Sequence, residues 1–155
     1  MLAGGDEGHI VNTASVAGLI TGSGPYFASK HGVTCVSEGL YRDQKTAGSK
    51  LSASVLCPGV IRTQILDAER NRPTQFGGPT DMSALSEREQ QWTTGFRAAL
   101  EAGIEPSVVA DAVHDAVVAD HYYIVPAQDE HLQRIALRMA DITALRNPTL
   151  PTPRT

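Results

Sequence analysis

Two short runs rich in β-branched and small apolar residues flank a long helical pattern. They are His9-Ile10-Val11-Asn12-Thr13-Ala14 and Leu51-Ser52-Ala53-Ser54-Val55-Leu56-Cys57, and this order leaves few folds open to the chain. Each run has strand length and strand composition, and each is bounded by turn formers: Gly8 precedes the first, and Pro58-Gly59 stops the second. Between them Gly22-Ser23-Gly24-Pro25 punctuates the chain ahead of a helix with apolar positions at Val33, Val36 and Leu40 and exposed charge at Arg42, Asp43 and Lys45. Strand, helix, strand is a βαβ unit, and a crossover helix implies that the two strands run parallel.

The remainder continues the alternation. Asn71 to Thr80 is rich in turn formers and reads as a loop. Ser83 to Ala102 reads as a helix with Ser83 and Ser86 as candidate caps. Pro106 suits a first helical turn, and Val108, Val109, Ala112, Val113, Ala116 and Val117 recur at helical spacing as a stripe expected to be buried. Tyr122-Tyr123-Ile124-Val125 is a third strand candidate. Leu132, Ile135, Ala136, Met139 and Ile142 mark a last amphipathic helix before a proline-rich tail at 148–155, expected to fray. Alternating strands and helices indicate an open α/β sheet, whose ligands bind at the carboxyl ends of the strands. That rule selects Asn12 to Gly18 and Pro58 to Thr63, with the start of the helix carrying Tyr26 close to both.

Composition excludes several classes. A length of 155 residues suits one domain with a real core, and 41% apolar with 19% charged residues is globular. With aromatics at 5%, the core is expected to be Val, Leu, Ile and Ala. The net charge is -4 and the 13 basic residues are scattered, so no nucleic-acid or anionic-membrane footprint is present. Cys35 and Cys57 stand in no metal or disulfide pattern and read as small buried side chains. His9, His31, His114, His121 and His131 match no metal-ligand spacing. No apolar run reaches membrane-spanning length, and the first residues are not a secretory signal, so a cytoplasmic protein is the expectation.

Within YFASK, Tyr26 and Lys30 are four residues apart and would share one helix face. With four tyrosines and three lysines, chance supplies such a pair roughly 0.08 times per chain. Its context makes the pair more telling, because a hydroxyl-bearing strand end precedes it and a Pro-Gly turn follows the next strand. In HIVNTASVAG, then YFASKHGV, then CPGVIRT, the chain resembles the short-chain dehydrogenase/reductase family.

The resemblance implies a partial Rossmann-like, doubly wound parallel sheet of three strands with flanking helices. It also implies an NAD(P)-dependent oxidoreductase that interconverts an alcohol and a carbonyl. Tyr26 would be the proton donor or acceptor, Lys30 would stabilise its phenolate and bind the nicotinamide ribose, and Ser15 would hold the substrate oxygen. A tyrosine is a poor base at neutral pH without such a cation beside it. Asn12, Lys30, Pro58, Gly59, Val60 and Thr63 would line the nicotinamide end of NAD or NADP. Thr13 is a second candidate for the hydroxyl role but falls inside the strand. The implied partners are a small-molecule alcohol or carbonyl and, as the family commonly assembles, further copies of the chain.

The family's opening strand, glycine-rich turn and helix, which hold the pyrophosphate, are not found here. The expectation is therefore that residues 1–147 form the C-terminal part of such a domain and that this truncated chain alone binds dinucleotide weakly or not at all. The alternative is a catalytically inactive remnant or interaction module of that fold.

Overall fold

Gly8–Thr13 (β1) and Leu51–Leu56 (β2) form a parallel pair in register from Gly8 opposite Leu51 to Thr13 opposite Leu56. A two-residue strand, Tyr123–Ile124 (β3), adds to the far side of β2, also parallel, giving the order β1-β2-β3. These features come from a computed structural model that describes residues 5–77, 85–126 and 129–149. Ser83, part of the turn-rich stretch before it and the end of the proline-rich tail lie outside the described residues. β2 is buried along its whole length, as expected of a central strand covered on both faces. Among the described residues β1 is paired on one side only.

The two faces of the sheet are covered by different helices. Ala14, Val55 and Cys57 pack with Leu19, Val33, Tyr122 and Val125 beneath Pro25–Thr46 (α1). Leu56, Ala116 and Ile124 pack with Val11, Val109, Ala112 and Val113 beneath the helix ending at Val118. Side chains alternate across a strand, so Val55 and Leu56 face opposite helices, and the arrangement is doubly wound as the alternation of elements implies.

The chain divides into two compact units. The first comprises residues 1–59 and 109–155 and holds the sheet; the second is Val60–Val108. Within the second, Ile65–Asn71 winds as a 3₁₀ turn, and Thr74–Phe76 forms another inside the stretch that reads as loop. Glu87–Glu101 (α2) starts at a complete capping box: Ser86 Oγ accepts from the Glu89 amide, and the Glu89 carboxylate accepts from the Ser86 amide at 2.9 Å. Pro106–Val118 (α3) begins in this unit and runs into the first. Two residues past its end, Asp120 has a left-handed φ of 54°, and its carboxylate receives both the Ser52 hydroxyl and the Lys45 ammonium.

Several buried faces differ from the periodicity. On α1 the fully buried residues are Thr34, Ser37 and Gln44; Val33 and Leu40 are half-buried, and Val36 is 69% exposed. The inward stripe is set by the sheet beneath it, where the Asn12 amide donates to Ser37 Oγ at 3.0 Å, so a polar row occupies the face that hydropathy assigns to valine. Cys35, next to Thr34 on the outward side, is exposed and not buried as its composition suggests, whereas Cys57 is buried. On α3, Ala116 is buried, but Val108, in the first turn of the helix, is 52% exposed. The apolar face of Asp129–Thr143 (α4) is largely open, with Leu132, Met139 and Ile142 exposed. None of the described helices is long and apolar enough to cross a membrane.

α4 is anchored instead by polar groups. Asp141 is buried; its carboxylate accepts from the Thr149 amide at 2.8 Å and from the Arg146 guanidinium at 2.8 Å. The Thr149 amide first, with Arg146 behind it, holds this carboxyl below the usual carboxylate range. A lowered folded pKa contributes stability that is complete above the unfolded value, about 3.9, and is lost as pH falls through the folded value. Asp141→Asn is therefore expected to narrow the difference in melting temperature between pH 7 and pH 3. An unchanged difference would show that Asp141 does not carry this acid sensitivity.

Candidate active site

The carboxyl ends of β1 and β2 open side by side, and the segments leaving them are joined at once. The Ala14 amide donates to the Leu56 carbonyl at 2.8 Å, and the Val16 amide donates to the Pro58 carbonyl at 2.9 Å. Ser15 lies between these bonds. It caps the short turn Val16–Gly18, its Oγ accepting from the Ala17 amide at 3.1 Å and donating to the Pro58 carbonyl at 3.4 Å. Only 7% of Ser15 is exposed. A serine here has a structural task as a cap and also presents a fixed hydroxyl at the strand end. Thr13 is the last residue of β1 and is exposed, so of the two hydroxyls only Ser15 is held by the turn.

α1 begins at Pro25, after Gly24 with φ 88°, a left-handed conformation that glycine adopts without strain. Tyr26 and Lys30 occupy successive turns of its first half. The Lys30 ammonium lies 5.7 Å from the centroid of the Tyr26 ring, so the two side chains lie alongside each other as their spacing predicts. Tyr26 is 56% exposed and meets the Phe27 ring edge-on, while Lys30 is half-buried. Among the described residues Lys30 makes no ion pair, leaving an ammonium with donors to spare beside a phenol.

Cys57, just before Pro58, is wholly buried at the same place. Burial pushes its thiol up, against the influence of the Thr34 hydroxyl, the Ser15 amide and the Lys30 charge, so this sulfur is a neutral packing group at pH 7. Asn12 points toward α1, with one amide proton taken by Ser37 Oγ. Pro58 and Gly59 are half-buried at the end of β2. Val60 and Thr63 belong to the second unit, where the Val60 carbonyl accepts from the Ile104 amide at 3.2 Å and Thr63 is exposed. The first unit thus brings together Ser15, Lys30, Tyr26 and the Pro58-Gly59 turn. The described residues contain no cluster of His, Cys, Asp and Glu suited to a metal.

Two neighbours of this site were given no role by the motifs, although Gly18 closes the stretch HIVNTASVAG. Gly18 packs on the Lys30 carbonyl, and Thr34 donates its hydroxyl to that same carbonyl at 3.1 Å. The one available signal, a small residue three positions after Ser15, does not disclose the contact, because its partner is remote in sequence.

Residues 1–74 match the family profile described as short chain dehydrogenase. The chain is 29% identical over 134 residues to the CLA biosynthesis dehydrogenase/reductase of Lactiplantibacillus plantarum, covering 81% of this chain and 47% of that protein. It is 30% identical over 128 residues to the C alpha-dehydrogenase of a Sphingobium species, covering 81% of this chain and 40% of the relative. Its fold superimposes with a TM-score of 0.83 on a short chain dehydrogenase/reductase from Burkholderia phymatum solved in complex with NAD, at 34% identity, over 99% of this chain and 54% of that one. With the ordered motifs and the parallel sheet, these likenesses establish that the chain belongs to the short-chain dehydrogenase/reductase family. The chain spans about half the length of the relatives it matches.

Proposed function

We propose that this chain carries the proton-transfer face of an NAD(P)-dependent oxidoreductase that interconverts an alcohol and a carbonyl. The observation that carries the reading is the Lys30 ammonium lying beside Tyr26 on one face of α1. A second support is the buried strand-end loop that fixes the Ser15 hydroxyl. An unpaired, half-buried ammonium suits the hydroxyls of a nicotinamide ribose, so the donor set fits that end of the cofactor. Pro58 and Gly59 offer it backbone at the end of β2. Asn12, with one amide proton already engaged, and Val60 and Thr63, in the second unit, enter the reading on the motif alone. A bound nicotinamide would supply or accept the hydride. Tyr26 moves a proton on or off the substrate oxygen, Ser15 holds that oxygen, and Lys30 places positive charge where the phenolate develops.

We further propose that the 155-residue chain binds the whole dinucleotide weakly, since its residues address the nicotinamide end and the chain spans about half the length of its relatives. Fluorescence titration with NADH and NADPH is expected to give dissociation constants of about 1 mM or more, equivalent to about 4 kcal/mol or less of binding energy. Micromolar binding would overturn this expectation. At saturating cofactor, turnover of at least one alcohol in a panel, lost on Tyr26→Phe, supports the enzymatic reading. No turnover, or turnover indifferent to that change, favours a noncatalytic member of the fold.

A further inference from the structure

The motif residues do not explain what spaces Ser15 from Lys30. The turn Val16–Gly18 that Ser15 caps rests on the first half of α1 with almost no clearance. A Cβ added to Gly18 would stand 2.6 Å from the Lys30 carbonyl oxygen and 2.7 Å from Thr34 Oγ1. These are closer than a side-chain carbon approaches an oxygen, and one of the obstructing atoms is backbone that cannot swing away. Thr34 is 7% exposed and donates its only hydroxyl proton to the Lys30 carbonyl. Back-bonding to the preceding turn is ordinary for a helical threonine: Ser29 and Thr143 make such bonds in the open. Thr34 differs in having the Ser15 turn seated on its oxygen and the buried Cys57 thiol facing it. The other end of that turn is tied to the Pro58 carbonyl through the Val16 amide and the Ser15 hydroxyl.

We infer that Gly18 and Thr34 are positioning residues for the proposed reaction: the missing side chain of the one and the hydroxyl of the other set how closely the Ser15 turn sits on the turn of α1 that carries Lys30. The catalytic consequence rests on the proposed function, whereas the seat is a property of the fold. Gly18→Ala forces the turn off α1 by a fraction of an ångström, carrying Ser15 with it. Thr34→Val keeps the shape but removes the hydroxyl that ties the helix turn, and Thr34→Ser restores it.

The experiment is made on the 155-residue chain with two readouts, amide hydrogen exchange and, at saturating cofactor, turnover. Exchange at the Val16 and Gly18 amides is expected to accelerate in Gly18→Ala and Thr34→Val and to remain slow in Thr34→Ser. A displacement of about 1 Å at a reacting group costs on the order of 100-fold, so kcat is expected to fall roughly 10- to 100-fold in the first two variants, with cofactor KM changed by less than about 3-fold. Thr34→Ser is expected to recover most of the rate. If Gly18→Ala fails to fold, the two Thr34 variants decide the matter. Unchanged exchange in Thr34→Val, or equal damage from Val and Ser, overturns the seat. Accelerated exchange with undiminished kcat overturns the positioning role. Accelerated exchange in a chain whose unsubstituted form turns over no alcohol upholds the seat and rejects the proposed function, so the two failures are distinguishable.

Discussion

Tyr26→Phe is expected to lower nicotinamide-linked turnover by about 10²- to 10⁴-fold, the range that a positioned general acid or base contributes. The change removes one oxygen and leaves the ring, so the edge-on contact with Phe27 persists. Since Tyr26 is 56% exposed, the hydroxyl supports little of the fold, and stability is expected to stay within about 0.5 kcal/mol. Initial rates read from the absorbance of the reduced nicotinamide, beside a thermal melt, separate the two effects. A large rate loss with an unmoved melt is the signature of a proton-transferring phenol. A variant as active as the unsubstituted chain would leave Tyr26 as a surface residue of α1 and end its assignment as the proton carrier.

The second large effect concerns the sheet. Val55 is completely buried near the carboxyl end of β2, opposite Asn12 on one side and Tyr123 on the other, and its amide donates to the Tyr122 carbonyl at 2.8 Å. It packs with Ala14 and Cys57 under α1. Val55→Asp puts a carboxyl among these side chains, and an uncompensated buried charge costs about 3–5 kcal/mol. Small domains hold only about 5–15 kcal/mol in all, so most of the folded population is expected to be lost at pH 7. The pH dependence identifies the cause. Burial raises the folded pKa of the introduced carboxyl above its unfolded value of about 3.9, so the penalty is smallest below pH 4 and grows as pH rises through the interval between the two values. Val55→Ala, which removes only apolar contact, is expected to cost about 1.5–3 kcal/mol with no such pH dependence. Urea midpoints at pH 4 and pH 7 make the comparison. A midpoint for Val55→Asp equal to that of the unsubstituted chain would show that β2 is not the closed centre of the core.

What could be read without coordinates was what depends on near neighbours in the chain. The strand candidates at His9 to Ala14 and Leu51 to Cys57 appear as β1 and β2 with ends shifted by one residue, because run length and bounding turn formers are local properties. Ser86 was legible as a cap because a capping box lies within four residues of chain. The site followed the same rule. Tyr26 and Lys30 are neighbours through helical spacing, and the loops at Ser15 and Pro58 are the ends of adjacent parallel strands.

The inward face of α1 was legible only in part: Val33 packs against the core and Leu40 is half-buried, in keeping with their spacing, but Val36 is not. Hydropathy favours Val36, yet Thr34, Ser37 and Gln44 turn inward and Val36 faces out, because the rotation of a helix about its axis is decided by the surface it covers. Here that surface presents an Asn12 amide that a valine could not satisfy. Cys35 is carried outward by the same rotation.

The main strands and helices, their parallel order and the residue types capable of proton transfer are thus readable along the chain, since each depends on residues a few positions apart. Tertiary structure alone decided which helix face is buried, which of two neighbouring hydroxyls is held at the strand end, and how a glycine beside Ser15 comes to rest on the turn of Lys30. Those depend on atoms brought together from distant parts of the chain, and close packing leaves them almost no latitude.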